Sequence, residues 1–116
     1  MKLREVSEIL NAKLITAVPE WENIEVKSSF GCDLMSDVLA FVTNQSMLLT
    51  GLSNPQVIRT AEMMDIKVIV FVRGKAPSDE VAELAKSLGI SVFSTDLTLY
   101  VSCGKLYKNN LPGGEE

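Results

Sequence analysis

Apolar side chains recur along this chain in two rhythms, one helical and one extended, and the two alternate. Val6, Ile9 and Leu10 share one helical face over Arg4 to Leu10, and Lys13 to Val18 then reads as a short strand stopped by Pro19. After a polar turn at Glu20 to Asn23, Ile24 to Ser28 alternates apolar and polar residues like a half-buried strand near a sheet edge. Ser36 and Asp37 read as an N-cap and an acidic first turn for a helix with Val38, Leu39 and Val42 on its face, ending near Asn44. The run Ser46 to Thr50 predicts a buried strand, and Asn54-Pro55 opens a helix that reaches about Met64.

Lys67 to Val72 (KVIVFV) has no polar alternation, the pattern of a central strand covered on both faces. Ser78 caps the next helix, where Val81, Leu84, Ala85 and Leu88 fall at i, i+3, i+4 and i+7 and Gly89 closes it. Ile90 to Ser94 is a further strand, and Leu97, Leu99 and Tyr100 begin a last helical or irregular stretch toward Leu106. Three strand-helix-strand crossovers demand parallel pairing, so the fold class is α/β, a layered and mostly parallel sheet flanked by helices. The 116 residues make one domain, expected over 1–111, followed by a flexible tail over 112–116 that carries Pro112, two glycines and two glutamates.

Composition narrows the chemistry. The chain has no histidine, which removes the commonest general base, the Ser-His and Cys-His pairs and most zinc sites. A net charge of −4 spread without basic clusters argues against nucleic acid. No apolar run reaches the roughly 18 residues that span a bilayer, and the first residues lack the greasy core of a signal peptide. A cytoplasmic protein with Cys32 and Cys103 as free thiols is expected. Neither GxxxxGK[ST] nor GxGxxG occurs, so kinase and dehydrogenase chemistry have no phosphate loop here.

In an open parallel sheet, ligands bind where loops leave the carboxyl ends of the strands. Those loops carry Thr50, Gly51, Asn54, Arg73, Gly74, Lys75, Thr95 and Asp96, with helix N-termini and two basic side chains favouring an anion. Each has a plain structural explanation too: Gly51 as a tight turn, Asn54 as an N-cap, Arg73 to Lys75 as a solvated turn. Asp33, Asp37 and Asp96 are candidates for a hard cation, but Asp37 already suits a helix first turn, and no metal or other cofactor is assigned. Cys32 as a reactive thiol lacks any base to activate it, so no catalytic residue is assigned and the chain is read as a non-enzyme.

The segments SSFGCDLMSDVLAFV and LLTGLSNPQVIRTAEMMDIKVIVFVRGKAPSDEVAELAKSLGISVFSTDLTLY resemble the DRTGG domain, especially its small stand-alone members, over roughly Leu14 to Leu111. The resemblance implies a fold like the N-terminal domain of HPr kinase/phosphorylase and a role in regulation or assembly, since such domains accompany phosphotransacetylases and CBS-containing pyrophosphatases. It carries over no catalytic residue. The family's Asp-Arg falls at Leu52, Ser53 and Asn54, and its Thr-Gly-Gly falls near Val72, Arg73 and Gly74, so only a glycine persists. Two functional readings follow. One is a regulatory module that binds a small anion, such as a nucleotide, at the sheet's carboxyl edge. The other is an interaction or assembly factor that uses Leu34, Met35 and Phe41 as a homodimer or on a larger enzyme, with a redox or hydrogenase system implied by the family analogy.

Overall fold

The computed structural model describes residues 1–42 and 47–114. Its elements in chain order are α1 (Leu3–Ile9), β1 (Lys13–Thr16), β2 (Ser29–Gly31), α2 (Met35–Phe41), β3 (Met47–Thr50), α3 (Pro55–Met63), β4 (Val68–Phe71), α4 (Asp79–Ser87), β5 (Ser91–Ser94) and α5 (Leu99–Lys108). The strands form one sheet in the order β1-β5-β4-β3-β2. β2 to β5 are parallel, and β1 joins the far edge antiparallel to β5.

The sheet order follows from the crossovers. Three right-handed connections that step in the same direction put α2, α3 and α4 side by side on one face. The other face is covered by α1 and α5. Alternation along the strands divides the core accordingly: Ile69 and Phe71 of β4 face α2 to α4, whereas Val68 and Val70 face α1 and α5. All four residues of both β3 and β4 are buried, as continuous apolar runs require of strands covered on both sides. Each fully buried aliphatic or phenyl side chain contributes about 1.5–3 kcal/mol.

The chain stops its helices where the residue chemistry allows. The Asn54 side chain accepts a hydrogen bond from the Val57 N–H, Ser78 does the same for Val81 and Thr98 for Val101. After α4, Gly89 has φ +72°, a left-handed conformation that glycine takes without a Cβ clash.

Two local expectations are corrected. The strand expected over Ile24 to Ser28 lies at Ser29–Gly31, because the earlier residues pair with the chain start: the Val26 N–H donates to the Met1 carbonyl and the Leu3 N–H to that of Ile24. The alternation was real, with Val26 and Ser28 buried and Glu25 and Lys27 exposed, but its partner is the N-terminal segment and not the sheet. The N-cap of α2 is Leu34, two residues before Ser36, and Asp37 keeps its place in the first turn. Asn44 and Ser46 lie outside the described residues. At the chain's end Leu111 is buried and the Pro112 carbonyl accepts from the Ser29 N–H at 3.1 Å, so the backbone stays attached to the β2 edge at that point.

Candidate functional site

Four loops leave the carboxyl ends of β2 to β5 at one edge of the sheet. Those after β2, β3 and β4 lead to helices on one face, whereas the loop after β5 leads to α5 on the other. The connections therefore diverge between β4 and β5, the geometry that opens ligand crevices in parallel sheets. Here the loops themselves bridge the divergence. The Arg73 N–H donates to the Leu97 carbonyl at 2.7 Å and the Gly74 N–H to that of Thr95 at 2.9 Å. Arg73 at φ 60° and Gly74 at φ 69° make a left-handed pair that turns the chain back across the strand ends.

That turn throws the Arg73 side chain over β3. Its guanidinium lies on Gly51, so closely that a Cβ at that position would overlap it, and ends 3.8 Å from an Asp33 carboxylate oxygen. Asp33 is fixed from below, accepting from the Gly51 N–H at 2.6 Å and the Thr50 hydroxyl at 3.1 Å. Arg73 and Asp33 are each about half exposed. At 3.8 Å the pair is an electrostatic contact without a hydrogen bond, and the fork of guanidinium N–H donors has no hydrogen-bond partner among the described residues.

The structure thus brings Thr50, Gly51 and Arg73 together, with Lys75 exposed on the same loop and Asn54 at the head of α3. Asp33 completes the group; its sequence signal, a carboxylate two residues beyond a strand, points equally to a cation or a cap. Thr95 turns inward instead: it is 2% exposed, its hydroxyl donates to the Leu10 carbonyl at 2.7 Å, and the same oxygen accepts from the Leu97 N–H. Gly74 and Asp96 sit on the opposite side of the turn from Arg73, where they line a cavity of about 240 Å³ beside β1. Asp37 is in α2 and is not part of either group. Cys32 and Cys103 are free and pack on opposite faces of the sheet. Burial pushes the Cys103 thiol above its ordinary pKa. Among the described residues no three metal-ligating side chains come together, and no helix is long and apolar enough to cross a membrane.

Sheet order, crossovers and loop placement define a five-stranded α/β module whose polar loops gather at one edge. The chain belongs to the DRTGG domain family, whose model matches residues 5–106. The solved structures include a similar fold in the CBS and DRTGG domains of the regulatory region of Clostridium perfringens pyrophosphatase, complexed with its activator diadenosine tetraphosphate. Over 96% of this chain the two agree with a TM-score of 0.77 at 17% sequence identity, and the chain spans 47% of that one. No curated protein sequence matches it.

Proposed function

We propose that the chain is a non-catalytic regulatory module that binds a small anion, a nucleotide among the candidates, on the Arg73 edge of the sheet. The observation that carries this reading is the half-exposed guanidinium held over Gly51, its N–H fork without a hydrogen-bond partner among the described residues. Arginine presents such donors in the geometry of a phosphate or carboxylate, and an incoming anion replaces a loose 3.8 Å contact with hydrogen bonds at about 2.8 Å. Lys75 adds positive charge on the same turn, and the N-terminus of α3 lies beyond Gly51. The similar pyrophosphatase region, which has a dinucleotide activator, supports a regulatory role and makes nucleotides the first class to test. Without a histidine or a phosphate loop, the sequence supplies no machinery for turning that ligand over.

A thermal-shift series with diadenosine tetraphosphate, adenosine nucleotides and phosphorylated metabolites tests the reading. A ligand at one hundred times its Kd contributes about 2.7 kcal/mol to the folded state, roughly 10 °C for a domain of this size. The expected result is a rise for at least one of these anions that disappears in Arg73→Gln. No rise across the series, or one that survives this substitution, overturns the assignment.

A second reading rests on a separate observation. Leu34, Leu39 and Phe41 are 57%, 45% and 68% exposed at the α2 edge, whereas Met35 of the face expected from the sequence is buried. This favours a protein contact, as a homodimer or on a larger enzyme. Sedimentation of the wild type and of Phe41→Glu decides it: an association that Phe41→Glu abolishes supports this reading, and a monomer at micromolar concentration removes the homodimer.

A further inference from the structure

The cavity beside β1 is built by register. β1 runs antiparallel to β5 with Lys13 opposite Ser94, so the start of β1 meets the carboxyl end of β5. The chain just before β1 is drawn in by Thr95, whose hydroxyl holds the last turn of α1 at Leu10. Asn11 follows at φ 48° in the turn before β1 and lines the same cavity as Asp96. The opposite wall is the turn after β4. Gly74 donates to the Thr95 carbonyl, the Ser94 hydroxyl donates to the Lys75 carbonyl at 2.6 Å, and the Asp96 carboxylate lies against Gly74. The walls are therefore hydrogen-bonded to one another.

The charged groups that line this open notch are not, and both are solvent-exposed. Lys13 and Asp96 line the same cavity of about 240 Å³, carry opposite charges, and form neither an ion pair with each other nor a side-chain hydrogen bond to any other described residue. Lys13 is on β1 and Asp96 follows β5, so the two charges come from separate elements. A simple anion drawn by Lys13 meets the Asp96 carboxylate, and a simple cation drawn by Asp96 meets Lys13. A small molecule with both charges satisfies both. The volume falls below the roughly 300–1,000 Å³ of drug-sized pockets and suits a ligand of few non-hydrogen atoms. Ile15 offers an apolar wall for a short side chain, and the exposed Asn11 amide lines the same space.

We propose that this notch between β1 and β5 is a binding site for a small zwitterion of the amino-acid class, its carboxylate on Lys13 and its ammonium on Asp96. The site is separate from the Arg73 edge, on the other side of the Arg73-Gly74 turn, and does not depend on an anion binding there.

The test is a titration of isotope-labelled protein followed by amide chemical shifts. The probes are glycine, L-alanine, L-serine and L-aspartate, with acetate and methylammonium as single-charge controls at matched ionic strength. The expected result is a saturable shift at Gly74, Ala76 and Asp96 with one or more of the amino acids and with neither control. Lys13→Met and Asp96→Asn each weaken it by about tenfold or more, the scale of losing one charge-assisted hydrogen bond, and Arg73→Gln leaves it unchanged. Silence with all four amino acids overturns the proposal. So does an equal response to acetate or methylammonium, and so does binding that survives both notch substitutions. The single-charge controls use the wild-type protein, so the outcome does not depend on how either variant folds.

Discussion

Two glycines test opposite claims at the residue scale. A Cβ on Gly51 overlaps only the end of the Arg73 side chain, which is flexible and half exposed, and Gly51 is not among the glycines with positive φ. Gly51→Ala should therefore leave the melting temperature within a few degrees of wild type while displacing the guanidinium, and anion-induced stabilisation should fall by tenfold or more in apparent affinity. A Cβ on Gly31 instead meets the Cys103 sulfur at 2.6 Å and a Leu99 methyl at 3.1 Å, both on α5 where it packs over β2. Gly31→Ala should cost about 1–3 kcal/mol in a denaturant titration, with no specific effect on ligands. The sequence shows at this scale whatever is local. Asn54, Ser78 and Gly89 announce their helix ends because each acts on neighbours within a few positions. Gly31 and Asp33 do not, because their partners lie 17 or more positions away on other elements.

Among the elements, the strands buried on both sides were legible as apolar runs, and the segment before β2 was misassigned for a definable reason. Periodicity reports that alternate side chains are buried, not what buries them; at residues 24–26 the covering element is the start of the chain. That contact has an electrostatic component. The Met1 ammonium is hydrogen-bonded and ion-paired to Glu25, with Lys2 nearby, and these hold the Glu25 carboxyl below its ordinary pKa against a smaller opposing cost of burial. A lowered carboxylate pKa stabilises the folded state above the ordinary carboxylate value, and that contribution is lost as pH falls through the lowered one. Glu25→Gln should therefore lower the melting temperature slightly at neutral pH, and the two curves should converge as pH falls below the ordinary carboxylate range. Glu25 is solvent-exposed, so raising the salt concentration should shrink the difference between the two proteins. Equal acid slopes in wild type and variant would show that the ion pair does not bear on stability.

Across the whole molecule, the crossover pattern was enough to infer a layered parallel sheet and a polar edge, but not the antiparallel β1, since nothing in Lys13 to Thr16 specifies direction. That strand creates the notch, so the two candidate sites differ in mechanical setting. The Arg73 edge stands on β3 and β4, buried on both faces and flanked on both sides by other strands. The notch stands on β1, an edge strand of four residues with a register shift and no fully buried side chain. Amides of β3 and β4 should exchange with solvent only through global unfolding, and those of β1 through a cheaper local opening, a difference that native-state hydrogen exchange measures directly. A ligand on the Arg73 edge should then raise protection of β3 and β4 together with the melting temperature. An amino acid in the notch should raise β1 protection first, by suppressing the local opening, and move the melting temperature less. If β1 proves as protected as β4 without ligand, the edge strand is part of the global unit and the two sites lose this distinction.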